Sequence, residues 1–166
     1  GNLTAQHDAT SNNVLTVSGS SGMTVNAATQ FSNVSLSNAA ALNMNSGTLA
    51  IASGGSLSLG ASGTITGNLT LGNSSLLNFS ALPASGAYLL NVTGTLTVNS
   101  ELLLGQGTIE GVAWTEGSHD LINAGSITGV PASSFVLGDN LLGSWSTENG
   151  KLTLVVEQVA LLEWKG

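Results

Sequence analysis

A short apolar pattern recurs along the chain, most clearly between residues 41 and 72. In each unit two apolar side chains flank one small or polar residue, and a turn of Gly, Ser or Asn follows. The four central pairs are Leu42 and Met44, Leu49 and Ile51, Leu57 and Leu59, and Leu69 and Leu71. Residues two apart in an extended strand point to the same side, so each unit predicts a short strand with one apolar face.

The spacing of these units predicts how the strands are arranged. Successive units begin at residues 42, 49, 57 and 69, which leaves room for one strand and one turn but not for a helix pair. Strands this short need a closed interior for their apolar side chains. Winding three strands into a coil of roughly 20–25 residues provides one, with backbone hydrogen bonds between coils about 4.8 Å apart. We therefore predict an all-β parallel β-solenoid with about three short strands per coil and about six to eight coils.

An antiparallel sandwich or barrel also contains many short strands and is the alternative fold. The close turns, two of them between Asn43 and Ser58, disfavour the long hairpins of such a sheet. Helix is expected almost nowhere. The two exceptions, residues 26–33 and the run from Ala39 to Ala41, are too short to be stable as isolated helices.

The pattern also predicts how the domain is organised. Regular units run from VLTVS at residue 14 to about residue 105, with a loop expected around Pro83. Over residues 107–157 the loops are longer, and this stretch contains Pro131 and two of the three Trp residues. We predict regular β-solenoid coils over residues 1–105, and modified terminal coils with a cap over residues 106–166 of the same domain.

The cap itself has a sequence signature. LLGSWS and KLTLVVE predict a pair of strands, and Asn149-Gly150 between them is a two-residue hairpin signal. A cap is expected because the ends of a solenoid otherwise expose unpaired strand edges.

Composition and charge narrow the classes of function. Charged residues make up only 7% of the chain, and nine acids against two Lys and no Arg give a net charge of -7. After Asp8 the next charged residue is Glu101. Because nucleic-acid binding needs clustered Lys and Arg, that class is excluded, and binding to an anionic membrane surface is disfavoured.

Two further features bear on compartment and membrane insertion. The chain contains no Cys, which argues against a small disulfide-stabilised scaffold and fits either a secreted bacterial or a cytosolic protein. No run of 18 apolar residues is present, so we expect no direct membrane insertion by a helix. Because no N-terminal signal pattern is present, an exported form of this chain is expected to be a mature piece.

The residues that catalysis would need are sparse. A polysaccharide lyase needs a basic residue, usually with Ca²⁺, and a glycoside hydrolase needs two carboxylates across a cleft. No carboxylate lies between residues 9 and 100. Ser118, His119 and Asp120 have the residue types of a catalytic triad, but triad members come from distant positions. We interpret them as a polar turn before the strand LINAG.

We therefore predict no enzymatic activity and no catalytic, cofactor-binding or metal-binding residues. His7-Asp8 is interpreted as surface, and two His without Cys make a zinc site improbable. GGSLSLG lacks the Asp of glycine-rich calcium repeats, and no phosphate-binding glycine motif precedes a helix.

Three sets of polar or aromatic residues have two interpretations each. The triplets Asn68-Leu69-Thr70 and Asn91-Val92-Thr93 are either glycosylation acceptors or residues of turns and outer strand faces, which we favour. The aromatic set either stacks on sugars or fills a cap, which we favour, and consists of Tyr88, Trp114, Trp145 and Trp164. A flat Thr array for ice binding is not expected, since the outward positions are mixed and include Asn43, Ala50, Ser58 and Thr70.

Several stretches resemble a known family. GTITGNLTLGNSSLLNF, followed by TLTV, resembles the β-helical passenger segments of bacterial autotransporter-type surface proteins with autotransporter-associated β-strand repeats. HDLINAGSITGVPASSFVLG followed by GKLTLVVE is similar to the tail of a passenger module, and LLEWKG to the opening of a further one. The resemblance implies a right-handed parallel β-helix, export through the outer membrane, and display or release at the cell surface.

The chain differs from that family in having no C-terminal translocator barrel and no aromatic final residue. We therefore expect either an excised part of a longer protein or another export route.

Together these observations predict a non-enzymatic extracellular segment of a bacterial surface protein that serves as a structural stalk or adhesion scaffold. The expected partners are a host or matrix glycan or protein ligand, or a second copy through end-to-end self-association. The alternatives are a carbohydrate-binding or carbohydrate-active β-helix, and a filament subunit that stacks end to end.

Overall fold

The structure is a computed structural model that describes residues 2–6, 13–19, 22–24, 29–132, 134–138 and 140–159. Its strands, all in one sheet network, are β1 (Asn2–Gln6), β2 (Val14–Ser18), β3 (Gly22–Thr24), β4 (Thr29–Ser37), β5 (Ala41–Leu59), β6 (Gly63–Leu71), β7 (Ser75–Phe79), β8 (Leu90–Val98), β9 (Leu102–Leu104), β10 (Gly117–Thr128), β11 (Ser134–Gly138), β12 (Leu141–Ser146) and β13 (Lys151–Gln158). A short helix, α1 (Gln106–Gly111), follows β9, and a 3₁₀ turn (Glu148–Gly150) precedes β13.

The strands stack in parallel as a β-solenoid of about four turns. Three ladders of parallel strands run along it, one for each side of the coil. Ladder I contains residues 14–18, 33–37, 56–59, 75–79 and 102–104. Ladder II contains residues 22–24, 41–43, 63–66, 90–92 and 122–124. Ladder III contains residues 29–31, 48–51, 68–71, 95–98 and 126–128.

The prediction of parallel coils with three strands each is therefore confirmed, and the antiparallel sandwich is wrong for this part of the chain. The longest strand shows how one coil is made. β5 contributes residues 41–43 to ladder II, 49–51 to ladder III and 56–59 to ladder I. Its corners contain the positive-φ residues Asn45, Ser46 and Gly54, a backbone conformation that small and amide side chains tolerate best.

The interior consists of columns of aliphatic side chains, one residue per coil. All eight apolar residues of the four central pairs are buried. In ladder II, Leu42 lies against Ile65 and Ile65 against Val92, and all three are at most 1% exposed. Burial of each such side chain contributes about 1.5–3 kcal/mol, so the stacked columns are the main source of stability of the coils.

The number of coils was predicted wrongly, because the later coils are longer than the unit spacing indicates and residues 134–158 belong to the cap instead of further coils. Side chains that bridge adjacent coils are 23 residues apart at Asn33 and Ser56, 27 at Asn68 and Thr95, and 31 at Thr95 and Ser126. A further strand segment, centred on the buried Ile65, lies between the units that begin at residues 57 and 69.

The N-terminal end contains an element that the polar, weakly patterned sequence did not reveal. β1 pairs with β2 in antiparallel register, from Asn2 opposite Ser18 to Gln6 opposite Val14. The predicted surface pair His7-Asp8 lies outside the described residues, as do residues 26–28 of one helix candidate. Residues 29–33 of that candidate belong to β4, and Ala39 of the other has φ 56°, so the described part of neither candidate is helical.

The C-terminal cap was predicted as a strand pair and is larger. β12 and β13 pair antiparallel as expected, and Asn149 (φ 55°) and Gly150 (φ 71°) both have the positive φ of a tight hairpin turn. β13 also pairs antiparallel with β10, and β11 adds an outer strand to β12. β10 itself continues ladders II and III, which joins the cap to the coils.

The expectation of almost no helix is confirmed, and the described α-helix, α1, lies where the sequence did not predict one. α1 has six residues, two of them Gly, and its propensity alone would not sustain it. Its Thr108 is buried, and the Thr108 hydroxyl accepts a hydrogen bond of 3.0 Å from the backbone N–H of Phe79. Packing onto the last coil therefore stabilises the helix.

Candidate functional site

Two long loops lie at the corner where ladder I turns into ladder II, one in each of the last two coils. At this corner β7 is followed by a loop over residues 80–89, and β9 by α1 and a loop over residues 112–116. Equivalent corners of successive coils lie side by side in a solenoid. The two loops therefore enclose a cavity of about 390 Å³, whose lining is Pro83, Ala84, Ser85, Gly86, Ala87, Thr115, Ser118, His119 and Asp120.

The carboxylate of Asp120 is held in place from the cap. Its Oδ2 is 2.7 Å from Lys151 Nζ, and its Oδ1 accepts a 2.7 Å hydrogen bond from the Thr153 hydroxyl. The hydrogen bond from Lys151 lowers the pKa of Asp120 below its usual value, and burial opposes this only in part. The same hydrogen bond raises the pKa of Lys151. Asp120 is therefore ionised and paired at neutral pH.

His119 is held by its own contact, separate from that pair. Its Nε2 lies 2.8 Å from the carbonyl oxygen of Thr115. Because a carbonyl only accepts hydrogen bonds, Nε2 carries the hydrogen in this contact. The His119 ring and the Asp120 carboxylate thus have different partners, although both residues line the cavity.

Ser118, His119 and Asp120 are not hydrogen-bonded to one another as triad residues would be, since His119 contacts Thr115 and Asp120 contacts Lys151 and Thr153. Their assignment to a turn is wrong, because all three belong to β10, which begins at Gly117. The antiparallel pairing with β13, which places Asp120 opposite Thr153, extends the strand beyond the LINAG stretch.

Tyr88 links the 80–89 loop to the same cluster. Lys151 Nζ lies 5.7 Å from the centre of the Tyr88 ring, within the range of a cation–π contact. Lys151 thus contacts an aromatic ring of the loop and a carboxylate of β10 at once. Neither partner could be identified from the sequence, where the three residues are far apart.

The prediction that Trp residues fill the cap is confirmed for two of them. Trp145 is 9% exposed, its indole N–H donates a 3.0 Å hydrogen bond to the Leu102 carbonyl, and its ring meets Phe135 edge to face. Trp114 meets Phe79 in the same manner and donates to the Ile109 carbonyl. Trp164 lies outside the described residues, as does the whole LLEWKG stretch.

A convergence of Trp and carboxylates in one groove would favour a carbohydrate enzyme. Trp114 and Glu110 do border a common cavity of about 420 Å³, together with Leu137 and Leu141. Glu110 is the one carboxylate among the described residues of that lining, and its Oε1 accepts a 2.7 Å hydrogen bond from Gln106. Acid–base hydrolysis of a glycoside uses two carboxylates, and the described lining supplies one.

The outer face of ladder III carries an ordered set of polar residues that the sequence pattern does not reveal. The four outward positions considered together in the sequence lie on three different ladders: Asn43, Ala50, Ser58 and Thr70. When the coils are aligned, ladder III has two outward columns. The first consists of Thr48, Asn68, Thr95 and Ser126. The second consists of Ala50, Thr70, Thr97 and Thr128.

Side chains in these columns bridge neighbouring coils. The Thr95 and Ser126 hydroxyls are 2.9 Å apart, and Thr128 donates to Thr97 at 3.0 Å. The Oδ1 atom of Asn68 accepts from the Thr95 backbone N–H at 2.8 Å. In ladder II, Asn123 donates to the Oδ1 atom of Asn91 at 2.7 Å. Both Asn-x-Thr triplets thus contribute to outer strand faces, as predicted.

No helix in the described part of the chain is long and apolar enough to cross a membrane. Among the described residues, no group of three or more His, Asp or Glu side chains is arranged to hold a metal ion. No family model, curated protein or solved structure matches the chain. The autotransporter resemblance therefore stays a prediction, and the argument for function has to come from the structure itself.

Proposed function

We propose that this chain is a non-enzymatic, extracellular segment of an autotransporter-like bacterial surface protein, and that it serves as a structural stalk or adhesion scaffold. The observation that carries the proposal is the uninterrupted register of the coils. Ladders I, II and III each pair residue for residue through successive coils, so that each coil is bonded to the next on three sides.

Such a stack supports a spacer role because it resists bending. One cluster of buried, mostly aliphatic residues extends from Leu15 in β2 to Val156 in β13. Outside, Asn and Thr side chains join adjacent coils by further hydrogen bonds, as at Asn33 and Ser56. A rod of this kind holds attached modules at a fixed distance from a surface.

The filament alternative has less support. Stacking end to end needs open strand edges at both ends. Antiparallel strands cover part of each end here, with β1 on β2 and β13 on the first part of β10. We expect the isolated chain to be monomeric by size-exclusion chromatography with light scattering at high concentration. Concentration-dependent growth of a regular polymer would instead favour the filament.

Rigidity can be measured directly, because the chain has no Cys and accepts two unique labels. Spin labels at Thr24→Cys and Val130→Cys lie at exposed positions near opposite ends of the stack. A stalk gives one narrow distance distribution by pulsed electron paramagnetic resonance, and a broad distribution would count against it. Labels at Thr24→Cys and Asn43→Cys, on neighbouring strands of ladder II, are the short-distance control.

Location and chemistry need separate tests. Antibodies raised against the chain should label intact cells of the organism that encodes it, without permeabilisation. Labelling only after permeabilisation would overturn the surface assignment. A screen of polysaccharides for hydrolysis or elimination products should show no turnover, and reproducible turnover would replace the stalk with the carbohydrate-active alternative.

A further inference from the structure

We infer that the cavity between the turn at residues 83–87 and the start of β10, named here the corner cleft, binds an uncharged polyhydroxyl ligand, namely a sugar unit of a neutral glycan. The inference goes beyond the stalk function and does not depend on it, since it rests on the cleft alone.

The corner cleft has the size of a small-ligand site. Its volume of about 390 Å³ lies within the roughly 300–1,000 Å³ of typical small-molecule pockets. It also lies where the solenoid departs most from its regular coil, at two successive long corner loops. Loops supported by a rigid scaffold are the usual location of binding residues.

Both walls of the cleft are fixed before any ligand arrives. One wall is a turn closed by a 2.9 Å hydrogen bond from the Ala87 N–H to the Ala84 carbonyl, with Gly86 at φ 76°. The other wall is β10, paired with β13 from Gly117 to Asn123. A preformed site loses little conformational entropy on binding, which favours recognition of a small ligand.

The polar groups in the cleft match hydroxyls rather than ions. Ser118 and Thr115 have hydroxyls, which both donate and accept, and the His119 imidazole, held by the contact of its Nε2 with the Thr115 carbonyl, is a third polar group of the lining. Sugar hydroxyls also donate and accept, so they can pair with each of these groups. The bonds of the His119 ring and of the Asp120 carboxylate hold two of the polar groups in fixed positions.

The charge in the cleft is already balanced. The one carboxylate of the lining, Asp120, is paired with Lys151 at 2.7 Å. A cationic ligand would compete with Lys151, and an anionic ligand would meet the Asp120 carboxylate. A neutral ligand avoids both costs, and Asp120 still has acceptor capacity for a hydroxyl. Because no aromatic ring is part of the described lining, we expect a Kd in the range of about 1 mM.

The test uses two-dimensional ¹H–¹⁵N NMR of the whole chain, titrated with neutral trisaccharides (cellotriose, maltotriose and galactotriose) and with trigalacturonate as the acidic probe. We expect at least one neutral trisaccharide to shift amide signals of residues 84–87 and 115–120, and trigalacturonate to shift them far less. Equal binding of trigalacturonate, shifts confined to other regions, or no shifts with any probe would each overturn the inference.

Variants separate binding from folding. His119→Ala and Ser118→Ala should each weaken binding of the neutral trisaccharide by about 2- to 10-fold, the effect of losing one hydrogen bond. Ser144→Ala, an exposed Ser on β12 away from the cleft, is the matched control and should leave the affinity unchanged. Unaltered affinity in both cleft variants, with native spectra, would contradict the assignment. None of these outcomes bears on spin-label distances or cell labelling, so the stalk proposal is tested independently.

Discussion

The coils and the C-terminal cap bury apolar side chains in two different ways. In the coils the same kind of residue repeats at the same position, as with Leu57 in ladder I against Leu77 in the next coil. In the cap the packing units are aromatic pairs at right angles, and the one described ion pair, Lys151 with Asp120, lies at its border with the coils. In the repeat, backbone N–H and C=O groups bond to the neighbouring coils. At the end of the stack, side chains provide some of those hydrogen-bond partners.

Two contacts show how the end is closed. β9 ends at Leu104, opposite Leu77, so it does not reach the position beside Phe79. There the Thr108 hydroxyl of α1 accepts the hydrogen bond of the Phe79 N–H. On β9 itself, the indole of Trp145 donates to the Leu102 carbonyl. Side chains of the cap therefore occupy places that the strands of a further coil would have taken.

The largest effect is expected from Trp145→Ala, which removes an aromatic pair within the cap and the hydrogen bond from the cap to the Leu102 carbonyl of the coils. We expect a loss of about 3–5 kcal/mol in the free energy of unfolding, measured by urea denaturation followed by circular dichroism. Amide hydrogen exchange should accelerate most in β11 and β12, because Trp145 packs on Phe135 there. A uniform acceleration across the coils would contradict the distinction between the two regions.

Trp145→Phe is the matched control for that substitution. It keeps most of the buried ring but removes the hydrogen bond to the Leu102 carbonyl. The expected loss is smaller, about 0.5–1.5 kcal/mol for one hydrogen bond in addition to a modest packing term. Equal losses for the two variants would show that the hydrogen bond, and not the ring, dominates at this position.

The next largest effect is expected at Gly72, where two coils approach closely. A Cβ atom at Gly72 would lie 2.6 Å from both the Ile51 carbonyl oxygen and the Ser53 nitrogen. Since both are backbone atoms, the strands would have to separate. Gly72→Ala should therefore cost about 1–3 kcal/mol in unfolding free energy, again measured by urea denaturation.

Gly107→Ala provides the comparison in the cap. Gly107 lies in α1, and a Cβ atom there would meet nothing within 4 Å. Alanine favours a helix over glycine by about 0.5–1 kcal/mol, so this variant should be as stable as the parent chain or more stable. If both alanines destabilise the chain equally, the close approach of the coils is not what requires glycine at position 72.

The sequence was sufficient to predict the repeating part, because the coils depend on local patterns. Strand alternation revealed Leu49 and Ile51 as inward-facing, and Asn149-Gly150 specified its own turn. The outer columns of ladder III were missed for a simple reason. Which residues become neighbours depends on coil length, and coil length changes along the chain.

The parts that the sequence did not reveal are those stabilised by distant contacts. α1 has two glycines in six residues and depends on packing against β7 and on the Thr108 hydroxyl. β1 has a polar sequence and depends on its pairing with β2. The corner cleft depends on two loops that meet only because consecutive coils stack. Local propensity contains no information on any of these.

The smallest effect is expected for the ion pair at the border of the two regions. The pKa of Asp120 is lowered from its usual 3.8, so its stabilising contribution is fully present above pH 3.8 and is lost as the pH falls through the lower value in the folded chain. Asp120→Asn should therefore lower the free energy of unfolding by about 1 kcal/mol at pH 7, and the difference from the parent chain should shrink below pH 3.8.

Thermal unfolding measured from pH 7 to pH 2 tests this expectation. The control is Glu148→Gln, which changes an exposed carboxylate of the hairpin and should differ little from the parent. A difference between Asp120→Asn and the parent that does not change with pH would mean that the Thr153 hydrogen bond, rather than the charge of Asp120, joins the cap to the coils.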